Sequence, residues 1–84
     1  MKDCFITFRS VTPAQRGEGI LRRAGVECSL QRTPRWMEEQ GCGYSLRVQV
    51  ADWQRAGLLL KNAGVNYRKV YLKLENGSFE ELSL

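Results

Sequence analysis

Hydrophobic and polar positions alternate from Asp3 to Arg9. Cys4, Ile6 and Phe8 fall on one side and Phe5, Thr7 and Arg9 on the other, which predicts a half-buried strand. Ser10-Val11-Thr12-Pro13 breaks the pattern. Thr12 predicts a helix N-cap, with Pro13 in the first helical position and Gln15 completing a capping box. The helix then runs to about Ala24, with Ala14, Gly17, Ile20, Leu21 and Ala24 on its apolar stripe. Gly17 costs this helix about 1 kcal/mol relative to alanine, so close packing on the sheet is expected there. Gly25 predicts the stop. Val26 to Leu30 alternates again, with Val26, Cys28 and Leu30 inward. Tyr44 to Val50 is the cleanest strand, with Tyr44, Leu46, Val48 and Val50 on one face and Ser45, Arg47 and Gln49 on the other. Asp52 predicts the cap of a second helix carrying Trp53, Ala56, Leu59, Leu60 and Ala63, which ends at Gly64. Val65 to Leu74 reads as the last main strand. Its phase slips at Arg68-Lys69, which predicts a bulge or a strand in two parts. Asn76-Gly77 is a two-residue hairpin signal, so Ser78 to Leu82 is expected to fold back as a short extra strand.

The chain echoes itself. Leu21-Arg22-Arg23-Ala24-Gly25-Val26 matches Leu60-Lys61-Asn62-Ala63-Gly64-Val65, and each marks a helix that stops at glycine and passes into a strand. The order is therefore β-α-β, a loop, then β-α-β. Two such units predict an α+β fold, a ferredoxin-like βαββαβ sandwich: one antiparallel sheet, both helices on one face, and room for the C-terminal strand. The whole chain, residues 1–84, is expected to form a single domain. A chain of this size buries only roughly 60% of its unfolded surface, so the core is thin. The architecture hosts many unrelated functions and selects none of them.

Composition narrows the chemistry. The net charge of +4 tolerates an acidic or nucleic-acid partner without demanding one, because the cations are scattered along the chain rather than run together. There is no histidine, which removes the usual general base, the commonest zinc ligand and any Cys-His dyad. The three cysteines, Cys4, Cys28 and Cys42, show no CxxC spacing, so neither a disulfide framework nor a metal site is indicated. No cofactor is implied. The N-terminal residues lack a signal peptide's apolar stretch, and no apolar run approaches the ~18 residues of a membrane span. A cytoplasmic, reducing location is expected.

The stretch from Thr33 to Gly43 stands outside every alternation, and the function is expected there. Cys4 and Cys28 occupy inward strand positions suited to small buried hydrophobes. Cys42 instead sits between Gly41 and Gly43, which free the backbone and leave the sulfur uncrowded. Arg35 could fold back to favour the thiolate, Glu38 and Glu39 would oppose it, and the net shift stays open. Trp36 and Met37 serve either as a docking patch for a partner or as a lid on the core. Without histidine or a second loop cysteine, a hydrolase or a dithiol oxidoreductase is poorly supported. One exposed thiol on a small scaffold suits a carrier better than an enzyme. It can take a sulfur or selenium atom as a persulfide or selenopersulfide and pass it on.

The chain resembles, over nearly its whole length, a small bacterial domain family described as selenium/sulfur (Se/S) carrier protein-like. The resemblance rests on Phe5-Ile6-Thr7-Phe8, Leu21 with Ala24-Gly25-Val26, the turn Thr33-Pro34-Arg35, the pair Cys42-Gly43 before an apolar strand, and Ala63-Gly64-Val65. It implies that the family's cysteine falls on Cys42 and its turn on Thr33, Pro34 and Arg35. The segment Met37-Glu38-Glu39-Gln40-Gly41 departs from the small residues usual before that cysteine. The partners implied are a cysteine desulfurase or selenium-donor protein and an acceptor protein. The alternative is a non-catalytic binding or regulatory module that uses the open sheet face, with Phe5, Arg47 and Tyr71, to form a homodimer or hold a small ligand. Nucleic-acid binding ranks last, because the outward set Ser45, Arg47 and Gln49 carries no aromatic residue for stacking.

Overall fold

The structure, a computed structural model, describes residues 3–33 and 43–82. Its elements are β1 (Asp3–Phe8), α1 (Val11–Arg23), β2 (Cys28–Arg32), β3 (Tyr44–Gln49), a 3₁₀ turn (Val50–Asp52), α2 (Trp53–Asn62), β4 (Val70–Lys73) and β5 (Phe79–Leu82). The strands make one antiparallel sheet in the order β2-β3-β1-β4-β5. This is an α+β fold consistent with the ferredoxin-like sandwich, and β5 is the added strand. Gly77, at φ 87°, turns the chain into it, with Ser78 N–H donating to Asn76 Oδ1 at 3.0 Å.

The alternation in the sequence becomes one buried face. Cys4, Ile6 and Phe8 of β1, Leu46 and Val48 of β3 and Val70 of β4 meet Ala14 and Leu21 of α1 and Ala56 and Leu60 of α2 in a single core. The echoed hexapeptides close both helices in the same way. Val26 N–H reaches back to the Leu21 carbonyl at 2.9 Å and Gly25 N–H to Arg22 at 3.1 Å. Val65 N–H reaches Leu60 at 2.9 Å and Gly64 N–H reaches Lys61 at 3.1 Å. Gly25 and Gly64 take φ 81° and 75°, so each helix ends in a left-handed Schellman turn whose valine tucks under the helix it has just left.

The starts of three elements, α1, β2 and β4, differ from the sequence reading. The N-cap of α1 is Ser10 rather than Thr12, and no side chain caps it, so the capping box does not form. Pro13 is tolerated because the N–H it lacks is one of the first-turn amides with no helical partner. Asp52 holds the N-cap position of α2 but makes no capping bond. Val26 and Val65 belong to the helix-end turns, so β2 starts only at Cys28 and β4 only at Val70. The slip at Arg68-Lys69 is a bulge: Thr7 N–H donates to the Lys69 carbonyl and Arg68 N–H to the Thr7 carbonyl, both at 2.8 Å, so two residues stand opposite one.

Gly17 explains itself by close packing. A methyl group there would lie 3.1 Å from Leu60 Cδ2, 3.3 Å from Leu46 Cδ1 and 3.3 Å from Phe8 Cζ. All three neighbours are buried and come from three different elements. The substitution Gly17→Ala gains about 1 kcal/mol of helix propensity but incurs an overpacking cost of about 1–3 kcal/mol. The expected result is a net loss of about 1 kcal/mol, read as a lower urea midpoint at unchanged m. A midpoint above that of the parent protein would show that the three side chains yield.

Candidate functional site

Of the residues that the sequence assigns to the site, Thr33 and Gly43 lie in the described structure. Pro34, Arg35, Gly41 and Cys42 lie outside the described residues, as do Trp36, Met37, Glu38 and Glu39. What the fold defines is the base of the loop. The β2–β3 ladder ends with Arg32 opposite Tyr44. One further bond, Thr33 N–H to the Gly43 carbonyl at 3.0 Å, draws the two ends of the loop together beyond it. The Arg32 guanidinium lies 5.8 Å from the centre of the Tyr44 ring and closes the same rung from the side.

Gly43 is needed here for a reason the sequence did not reveal. Its φ is not positive, since Gly25, Gly64 and Gly77 are the described glycines with that conformation. A Cβ at Gly43 would instead lie 3.3 Å from the Phe8 carbonyl oxygen and 3.5 Å from Thr33 Oγ1. Gly43 therefore lets the loop base close against the end of β1, rather than supplying unusual dihedrals.

Strand alternation puts Thr33 on the sheet face away from the helices, together with Ser45 and Thr7. All three are closed off from solvent, at 6%, 0% and 5% exposure. Thr7 is fully engaged, donating to the Lys69 carbonyl and accepting from the Lys69 amide. The hydroxyls of Thr33 and Ser45 have no hydrogen-bond partner among the described residues. Buried hydroxyls are normally paired, so two orphans at the base of one loop are unusual. Further along this face, Phe5 and Tyr71 stand opposite each other as expected. Phe5 is buried, however, and its ring meets Phe79 of β5 at 5.8 Å in a tilted contact, while Tyr71 is half-buried.

The two described thiols are poorly placed for nucleophilic work. Burial, with a smaller push from Asp3, raises the Cys4 thiol from 9.0 to about 11. Burial also raises Cys28, against the Arg22 charge and hydrogen bond that pull it down. Cys28 is half-buried and faces a cavity of about 800 Å³ at the opposite end of the sheet from the loop base. Asp3 and Glu27 oppose Arg22 and Arg47 around that cavity, so its wall carries no net charge. Among the described residues no three His, Cys, Asp or Glu side chains are grouped to hold a metal ion, and no helix is long and apolar enough to cross a membrane.

The model of the family described as "Putative Se/S carrier protein-like" matches the chain over residues 3–72. No curated protein and no solved structure matches it.

The thiol environments set an order of reactivity. With iodoacetamide at pH 8 and native conditions, Cys28 should label slowly and Cys4 only after unfolding, as read by peptide mass spectrometry. Labelling of Cys4 as fast as Cys28 would contradict its burial. Folded Cys4 keeps its proton above the pH at which the unfolded thiol ionises. Its contribution to stability is therefore present below the ordinary thiol value of 9.0 and falls as pH rises from there towards about 11.

Proposed function

The chain belongs to the Putative Se/S carrier protein-like family, and from that membership we propose that it carries sulfur or selenium as a persulfide or selenopersulfide on Cys42. The observation that carries the reading is that the family match spans the Thr33–Gly43 loop, in which Cys42 lies. Two features of the described structure support it. Both other thiols are raised by burial and belong to strands. The loop itself springs from a closed base at one end of the sheet.

The chemistry asks little of the scaffold. The Cys42 thiolate attacks the terminal chalcogen of a donor persulfide. The new bond to sulfur or selenium forms as the donor's own bond breaks, and the donor leaves as a thiolate that takes up the proton Cys42 gave up. Delivery reverses the step: an acceptor nucleophile takes the outer atom and Cys42 is returned as thiolate. No electrons are gained or lost by the protein and no cofactor is required. In this reading Arg35 favours the anion, Thr33 and Pro34 open the loop, and Gly41 leaves the sulfur reachable. Gly43 holds the loop base against β1, where the orphan hydroxyls of Thr33 and Ser45 are hydrogen-bond donors without a described acceptor. The donor is a cysteine desulfurase or a selenium-donor protein, and the protein acts as a carrier between it and an acceptor.

The test is intact mass. After incubation with a cysteine desulfurase and cysteine, or with a selenium donor, the protein should gain the mass of one sulfur or one selenium, and a thiol reductant should remove it. Cys42→Ser should gain nothing. A gain that persists in Cys42→Ser would move the site elsewhere, and no gain from either donor would end the carrier reading.

A further inference from the structure

In a regular strand, consecutive side chains point to opposite faces. Arg68 and Lys69 escape that rule because they form the bulge opposite Thr7. The bulge is held firmly: besides its two main-chain bonds, Thr7 Oγ1 accepts from the Lys69 amide at 3.1 Å and donates to the Lys69 carbonyl at 3.2 Å. Bulges commonly re-aim side chains beside functional sites. Here the consequence is that Arg68 and Lys69 both line a single cleft of about 690 Å³.

Two more cations complete the wall. Arg9 follows the last residue of β1, and Arg16 comes from the first half of α1. Among the described residues no acidic side chain lines the cleft. One exposed carboxylate outside the lining, Glu81, reaches Lys69 at 3.4 Å and offsets part of its charge. Arg16 donates to the Ala63 carbonyl at 3.4 Å, using one of the five N–H donors of its guanidinium. Among the described residues the charged side chains that line the cleft are therefore all cationic, with Glu81 at its rim. The first turn of α1, which borders the cleft, holds no acidic residue and receives no side-chain cap from Ser10, so the helix end adds to the same sign of potential.

The rest of the wall is mixed, with Ser10, Thr12 and Asn66 beside an apolar part. Pro13, Val65 and the half-buried Tyr67 ring face the same space. The volume lies within the ~300–1,000 Å³ usual for small-molecule sites. A purely inorganic ion would leave that surface unused.

We propose that this cleft binds a small phosphate ester, with Arg9, Arg16, Arg68 and Lys69 around the phosphate and the organic body resting on Tyr67 and Pro13. The proposal goes beyond the carrier reading and does not depend on it. The cleft opens at the sheet end where β1 finishes, the same end at which Gly43 closes on the Phe8 carbonyl. A ligand held there would sit at the end of the sheet from which the Cys42 loop departs.

The test is titration of the ¹⁵N-labelled Cys42→Ser protein with ADP and with adenosine, which removes the thiol chemistry from the readout. ADP should shift the amides of Arg9, Ser10 and Asn66 to Lys69 saturably, and adenosine should not. Arg9→Gln and Arg68→Gln should each weaken ADP binding by about tenfold or more, the usual scale for losing a charge-assisted bond. Arg9 is exposed, so its variant reports on the ligand even if Arg68→Gln disturbs the bulge. Absence of saturable shifts, equal shifts from adenosine, or ADP affinity unchanged in Arg9→Gln would overturn the proposal.

Discussion

Each helix of this fold is turned back by one glycine in the left-handed region, and the rest of the structure depends on that pair of turns. A helix of 13 residues and another of 10 residues have little independent stability in water. Their stability comes from the sheet, and the sheet receives them only if the chain reverses within a residue or two of the last helical turn. Gly25 and Gly64 permit that reversal, and the bonds from Val26 to Leu21 and from Val65 to Leu60 lock it. Both leucines are fully buried, and the valines are nearly so. The motif therefore satisfies the last carbonyls of each helix while delivering an apolar residue from each side of the turn to one core. Its repetition makes the two halves of the chain pack alike.

The same turns explain what could and could not be read in the sequence. Alternation located β1 and β3 almost to the residue, because Cys4, Ile6 and Phe8 of β1 and Leu46 and Val48 of β3 are all buried on one face. The echo located both helix ends, because a left-handed turn at these positions strongly favours glycine. Val26 and Val65 misled the strand boundaries for one shared reason: a buried apolar residue after a helix looks like the start of a strand whether it pairs in a ladder or folds under the helix. The capping box failed because Pro13 suits more than one first-turn position, so the spacing Thr12 to Gln15 does not fix where the helix starts. Gly43 was legible as a constraint but not as the right one. A close approach to the Phe8 carbonyl leaves no mark in local sequence, since the neighbour is far away in the chain.

The basic cleft was hidden for the opposite reason. Arg9, Arg16 and the Arg68-Lys69 pair look dispersed when counted along the chain, and a scattered set of cations usually means solvation. The fold gathers them because β4 lies beside β1 and α1 begins where β1 ends. The sequence did carry half of the signal, the phase slip at Arg68-Lys69. Its meaning lay in which side chains the bulge would turn together, and that requires knowing that Thr7 stands opposite.

The absence of histidine, which excludes so much enzyme chemistry, is no handicap to a carrier. Transfer of a sulfur or selenium atom between thiols exchanges one chalcogen bond for another of similar strength. The proton released on one side is taken up on the other, so a dedicated base has little to do. What such chemistry does require is selection of one thiol among several. Burial selects against Cys4, by desolvation of its thiolate within the core. It selects against Cys28 more weakly, because Arg22 offsets part of the cost. A thin core can exclude a thiol cheaply, since the side chain that fills the space is also the one withheld from reaction. On the carrier reading, strand positions in this small domain thus serve packing and chemical discrimination together.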